Sequence, residues 1–155
     1  MSTLRRRDVL ASGTLLVLSV RPMQAQSQSK SPSLAAALAE AVRAWSGGNM
    51  PRDGRVTLDI APLVDNGNAV PISVRVVSPM TEADHVREIA VFNERNPQRE
   101  VLRCELSAAN GRAEVSSRIR LATSQQLVAV ARLSDGSLWQ QRVEVLVTLA
   151  ACIEG

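Results

Sequence analysis

Two cysteines and a single histidine are the side chains of this 155-residue chain best suited to covalent or metal chemistry. Cys152 stands in the segment Ala150-Ala151-Cys152-Ile153-Glu154-Gly155. It follows a run in which Val143, Val145, Val147 and Leu149 alternate with Glu144, Leu146 and Thr148. Alternation of that kind predicts a half-buried strand. A strand with a short tail and a thiol near its tip is a rod with a reactive end, since chain termini are poorly ordered unless something ties them down. The thiol is badly placed to be a catalyst. An unperturbed cysteine has a pKa near 8.5, so roughly a few per cent is thiolate at neutral pH. Glu154 and the terminal carboxylate disfavour the thiolate further, and no cation stands close in sequence. Carriage suits the group better: it is a covalent hook that enzymes with their own activating groups load and unload. From Leu149 to Cys152 an extended tail spans about 10 Å, enough to enter a partner's cleft.

Cys104 is of a different kind. In Val101-Leu102-Arg103-Cys104-Glu105-Leu106 it shares a strand face with Leu102 and Leu106, which predicts a small buried hydrophobe. In an exported protein the alternative for the two cysteines is a Cys104–Cys152 disulfide. Alternation argues against it, because Cys104 faces the core while Cys152 lies beyond the last strand, but the pairing stays open at this level. His85 follows Asp84 in a polar stretch and is expected to be a surface loop residue rather than a base or ligand. A metal site would need His85, Cys104, Cys152 and Met80 to converge, with no close-spaced ligand pair to support it, so no metal and no cofactor are expected.

The elements that must position Cys152 are mostly strands. Leu34 to Trp45 (LAAALAEAVRAW) predicts a short N-terminal helix, with Ser33 as N-cap and Gly47-Gly48 as its stop. Leu34, Leu38, Val42 and Trp45 form its apolar face, expected to pack on the edge of the domain. Beyond Pro51 the periodicity changes to two. Val56–Ile60, Val70–Val77, Val86–Phe92, Val101–Leu106, Ala113–Leu121, Leu127–Leu133 and Leu138–Leu149 predict about seven strands. Turns are expected at 65–68, at Asn110-Gly111 as a hairpin, and at Asp135-Gly136. Short strands at regular spacing, with no phosphate-binding loop and no βαβ rhythm, predict an all-β sandwich.

The charge pattern concerns export more than partners. The calculated pI of 9.6 looks basic, but Arg5, Arg6, Arg7 and Arg21 fall in the first 25 residues against Asp8 alone. The remaining chain has 14 basic and 14 acidic residues. Trp45, Phe92 and Trp139 are its only aromatic residues, too few for a base-stacking platform, so no nucleic-acid partner is expected. Arg5-Arg6-Arg7-Asp8-Val9-Leu10, the apolar run to Val20 and Met23-Gln24-Ala25 have the layout of an export signal. The arginine pair points to the twin-arginine route and a periplasmic protein. The apolar run is short for a membrane span, so no membrane is expected in the mature form. The expected organisation is a signal over 1–25, a linker and helix over 26–50, the sandwich over 51–149 and the arm over 150–155.

Several stretches together resemble the SoxY family of sulfur carriers. They are Ser78-Pro79-Met80-Thr81 with Asp84-His85-Val86, Asn93-Glu94-Arg95-Asn96-Pro97, Arg118-Ile119-Arg120-Leu121-Ala122, Val128-Ala129-Val130-Ala131, and Val147-Thr148 before Cys152. The resemblance implies an immunoglobulin-like β-sandwich and a heterodimer with a SoxZ-like subunit. It also implies a flexible C-terminal arm whose cysteine, Cys152 here, carries sulfur intermediates for the enzymes of sulfur oxidation. The family's arm is glycine-glycine-cysteine-glycine-glycine. Cys152 matches by position, whereas Ala150, Ala151, Ile153 and Glu154 replace the flanking glycines and Gly155 follows. That makes the arm stiffer, bulkier and anionic, similar to a SoxY-related paralogue group with an Ala-Ala-Cys-Ile-Glu arm. The function expected is an exported, non-catalytic thiol carrier; the alternative is a structural or binding sandwich whose cysteine forms a disulfide.

Overall fold

A computed structural model describes residues 33–149. The expected signal over 1–25, the first part of the linker and the arm over 150–155 lie outside the described residues. Helix α1 runs Leu34–Trp45, with the Ser33 hydroxyl accepting from the Ala36 N–H at 3.2 Å. Gly47 and Gly48 both have positive φ, and the Gly48 N–H closes the helix on the Arg43 carbonyl at 2.9 Å. Nine strands follow: β1 Arg52–Asp53, β2 Val56–Asp59, β3 Leu63–Asn66, β4 Val70–Val76, β5 Val86–Asn93, β6 Glu100–Glu105, β7 Glu114–Ile119, β8 Gln125–Leu133 and β9 Leu138–Leu149.

The strands form two sheets. The larger has the order β1-β9-β8-β5-β6, with β3 also on β9, and the smaller is β2-β4-β7. Val56, Leu58, Val70, Ile72, Val74 and Val76 of the small sheet meet Val86, Ile89, Val91, Leu127, Ala129 and Val145 of the large one in the main core. Each fully buried valine, leucine or isoleucine contributes roughly 1.5–3 kcal/mol. This is an immunoglobulin-like sandwich. Its two additional strands, β1 and β3, are short and pair with β9 in parallel. The segment carrying them leaves β9 after Asp53, joins the small sheet as β2, and returns at Leu63.

Three local expectations are corrected. The helix lies over the outer face of the large sheet, not its edge. Leu38, Val42 and Trp45 pack with Ala90, Phe92, Val128, Val130 and Leu138 in a second core. β5 and β8 are apolar on both faces, so the outer face needs a cover. Leu34, at the helix start, is exposed. Asp65 and Asn66 belong to β3, leaving only Gly67 and Asn68 in the turn. Asn110-Gly111 makes no hairpin: β6 pairs with β5 and β7 with β4, in different sheets. Asn110 instead accepts the Ser107 N–H at 2.8 Å and ends a short 3-10 turn at Gly111. Asp135-Gly136 does join the antiparallel pair β8 and β9.

Candidate functional site

Cys152 stands three residues beyond the last described residue of β9, so the site begins at that strand's end. β8 accompanies β9 from Leu138 to Val145, which pairs with Gln125. From Leu146 onward β9 has left β8 and is held by β3, with Leu63 beside Leu146, Val64 beside Val147 and Asn66 beside Leu149. The Leu146 N–H donates to the Pro62 carbonyl at 2.9 Å, and the Thr148 hydroxyl to the Asp65 carbonyl at 3.0 Å. On the other side the Ser124 hydroxyl accepts the Val147 N–H at 2.9 Å and donates to its carbonyl at 3.4 Å. The Gly67 N–H donates to the Leu149 carbonyl at 2.9 Å, and the Gly67 carbonyl accepts the Leu121 N–H at 2.8 Å. The root of the arm is therefore fastened on both sides up to Leu149.

A polar cluster stands behind these contacts. Asn93 is fully buried and donates through Nδ2 to the carbonyls of Gln98 and Arg99. Its Oδ1 accepts the Asn96 N–H at 2.8 Å. Asn96 Oδ1 accepts from the Ala122 N–H at 3.0 Å and from Gln125 Nε2 at 2.9 Å, while Nδ2 donates to the Arg120 carbonyl at 2.6 Å. Buried polar groups joined this fully hold a loop in one conformation. The stretches Asn93–Pro97 and Arg118–Ala122, far apart in sequence, thus meet at the end where Leu149 leaves the sheet.

Ser78 to Val86 lies at the other end of the sandwich. β5 starts there and runs in the same direction as β9, since both are antiparallel to β8. The stretch bonds to itself: the Met80 N–H donates to the Ser78 hydroxyl at 3.1 Å, and the Val86 N–H reaches Met80 Sδ at 3.5 Å. Met80 is buried at φ 53, a costly conformation for a side chain of this size. His85 is half-buried, its Nδ1 3.0 Å from the Thr81 carbonyl, so its ring serves the loop. Two carboxyls held below the ordinary range also stand at this end. For Glu114 the cause is the hydrogen bond and charge of Arg75; for Asp135 it is the hydroxyl and N–H of Ser137. Among the described residues no three His, Cys, Asp or Glu side chains are placed to hold a metal ion.

Of the residues expected to form the site, Ala150, Ala151, Cys152, Ile153, Glu154 and Gly155 lie outside the described residues. Cys104 faces the core side as expected but is half-buried, because β6 is the edge strand of its sheet and has one neighbour only. Among the described residues it is a free thiol. The hydrogen-bonding parts of the arm's root, Ser124, Gly67 and Asn96, were not singled out by their chemistry. A hydroxyl and a backbone peptide in turns leave no periodic signal; only the stretch holding Asn96 stood out, through the resemblance.

Comparison with known proteins decides the family. The profile of the family described as sulfur oxidation protein SoxY matches residues 42–152, a span that includes Cys152. The chain belongs to the SoxY family. The structure of the sulfur carrier protein SoxY from Chlorobium limicola f thiosulfatophilum superposes with a TM-score of 0.61 at 26% identity, covering 74% of this chain and 99% of that one. Membership assigns a sulfur-carrier role in sulfur oxidation. Superoxide reductases are similar in fold alone. The neelaredoxin of Ignicoccus hospitalis gives a TM-score of 0.54 at 20% identity over 61% of this chain and 80% of its own. The enzyme of Nanoarchaeum equitans gives 0.53 at 15% identity over 62% and 100%. No curated protein gives a match.

Proposed function

We propose that the chain is exported folded by the twin-arginine route and works in the periplasm, holding a sulfur intermediate covalently on Cys152. Residues 1–25 are its leader, 26–50 a linker and helix, 51–149 the carrier body and 150–155 the arm. A SoxZ-like subunit is its standing partner, and catalysis belongs to the enzymes that load and unload the arm. Loading is a two-electron oxidation. The Cys152 thiol loses its proton, an S–S bond forms to the incoming sulfur nucleophile, and the loading enzyme takes the electrons. The arm belongs to a paralogue group whose Ala150, Ala151, Ile153 and Glu154 select which enzyme it enters.

The observation that carries this reading is the fastening of β9. A strand held by β3 on one side and by Ser124 on the other fixes the place at which Leu149 ends the sheet. Cys152, three residues on, then comes no more than about 10–11 Å from that place. Replacing Cys152 by Ser in the native cells tests the assignment. Oxygen uptake on thiosulfate or sulfide is lost with Cys152→Ser and kept with Cys104→Ser. The reverse pattern would move the carrier site to Cys104.

A further inference from the structure

Arg118 and Arg120 alternate with Ile119 and Leu121, which are buried in the main core, and both arginines are exposed. They line a cleft of about 360 Å³ between the end of β7 and the turn from Asn96 to Glu100. Glu100 is the one acid lining it, and Arg103 takes both of its carboxylate oxygens, at 2.9 and 2.7 Å. Among the described residues neither Arg118 nor Arg120 is in an ion pair. The cleft stands beside the arm's root, and Gly67 joins the two. Its N–H donates to the Leu149 carbonyl at 2.9 Å and its carbonyl accepts the Leu121 N–H at 2.8 Å. Leu149 and Leu121 are thus about 10 Å apart.

We propose that this cleft holds the carboxylate of the chain's own Glu154, so that Arg118 and Arg120 park the arm against the body. Reach and charge select this occupant. Glu154 is the one acidic side chain between Ala150 and Gly155. A flexible stretch of the length from Leu149 to Glu154 has a root-mean-square span of roughly 12 Å, which matches the separation. At such a match a tethered group has an effective concentration on the order of millimolar, ahead of a second copy or a dilute free anion. Asp65, exposed on the β3 side of the root, disfavours the opposite course. An exposed ion pair shifts a population only a few-fold, so the arm is released as readily as it is held. Cys152, two residues before Glu154, rests beside the body while the pair is made. An enzyme that offers Glu154 a cation of its own draws the arm out. The pairing holds whatever Cys152 carries.

The test uses the full chain isolated from its native cells, reduced, with any co-purifying subunit left in place. Arg118→Lys with Arg120→Lys keeps both charges and offers amines to a water-soluble carbodiimide, which joins an amine to a touching carboxylate as an amide. Arg103→Lys, beside Glu100, calibrates the yield. Mass spectrometry of the peptides should find position 118 or 120 joined to Glu154 of the same chain, at a yield within about tenfold of that control. The product should fall about threefold or more in roughly 1 M sodium chloride, where screening is strong, and vanish with Glu154→Gln. Coupling to Glu100 or Asp59 alone, or no coupling, overturns the latch. So do links between isotopically heavy and light chains, which give the cleft to a second copy. Links to a co-purifying subunit make the cleft a permanent interface and also overturn it. A Cys152 that never carries sulfur overturns the carrier reading and leaves this pairing standing.

Discussion

Cys104 and Trp139 occupy one rung of the large sheet, connected across it through Ile89 and Ala131. Leu149 lies ten residues further along β9, about 30 Å away, and β6 is three strand spacings of about 4.8 Å to the side. The three residues from Leu149 to Cys152 bridge about 10–11 Å. A disulfide needs Cα atoms within roughly 7 Å. An intramolecular Cys104–Cys152 bridge is therefore out of reach of the folded body.

Alkylation follows from the same separation. After mild reduction, iodoacetamide should modify Cys152 rapidly, and half-buried Cys104 at a slower, measurable rate. Peptide mapping that finds the two cysteines bridged within one freshly isolated chain contradicts both the geometry and the carrier assignment.

Ser124 holds Val147 by a single hydroxyl. Ser124→Ala should cost about 1 kcal/mol, the net worth of one hydrogen bond. It should speed amide exchange at Val147, with no change at Asn93 in the neighbouring cluster. Hydrogen exchange read residue by residue checks this. Equal loss of protection throughout β9 would mean that Ser124 supports the sheet and not the arm's root.

Gly54 fixes the start of β9. Its φ is +135, and an added Cβ would stand 3.0 Å from Cζ3 of Trp139, whose ring also carries the Arg52 guanidinium 4.5 Å from its centroid. Gly54→Ala thus meets an unfavourable backbone and an overlap together, and should destabilise by about 1–3 kcal/mol. Urea unfolding measures it. A loss below about 0.5 kcal/mol would show that the Trp139 ring moves aside freely.

The legible parts of this fold were those with a strong local signal. Ser33 and Gly47-Gly48 bound α1 at Leu34–Trp45 as expected, and β9 runs Leu138–Leu149 as expected, with Val143, Val145, Val147 and Leu149 on one face. β1 and β3 were missed because two and four residues carry no periodicity, and their parallel pairing is set by β9, some eighty residues away. Asn110-Gly111 misled because Asn110 spends its side chain on Ser107 while its flanking strands pair elsewhere. Alternation placed Cys104 on the right face and could not tell that β6 is an edge. For the site, Cys152 stood out by its chemistry and position. Its carrier role was legible through the resemblance, and the clamp around Leu149 was not, being built from backbone groups, the hydroxyls of Ser124 and Thr148 and one amide cluster.

The central claim is that Cys152 holds sulfur in the working protein. Its most direct measurement is the mass of the Cys152 peptide, in protein isolated without reductant from cells oxidising thiosulfate or sulfide. A reductant-sensitive mass gain in whole sulfur atoms, with or without oxygen, on Cys152 and not on Cys104 is the expected result. A Cys152 peptide that stays unmodified throughout active oxidation, or is found only in a disulfide, contradicts the account.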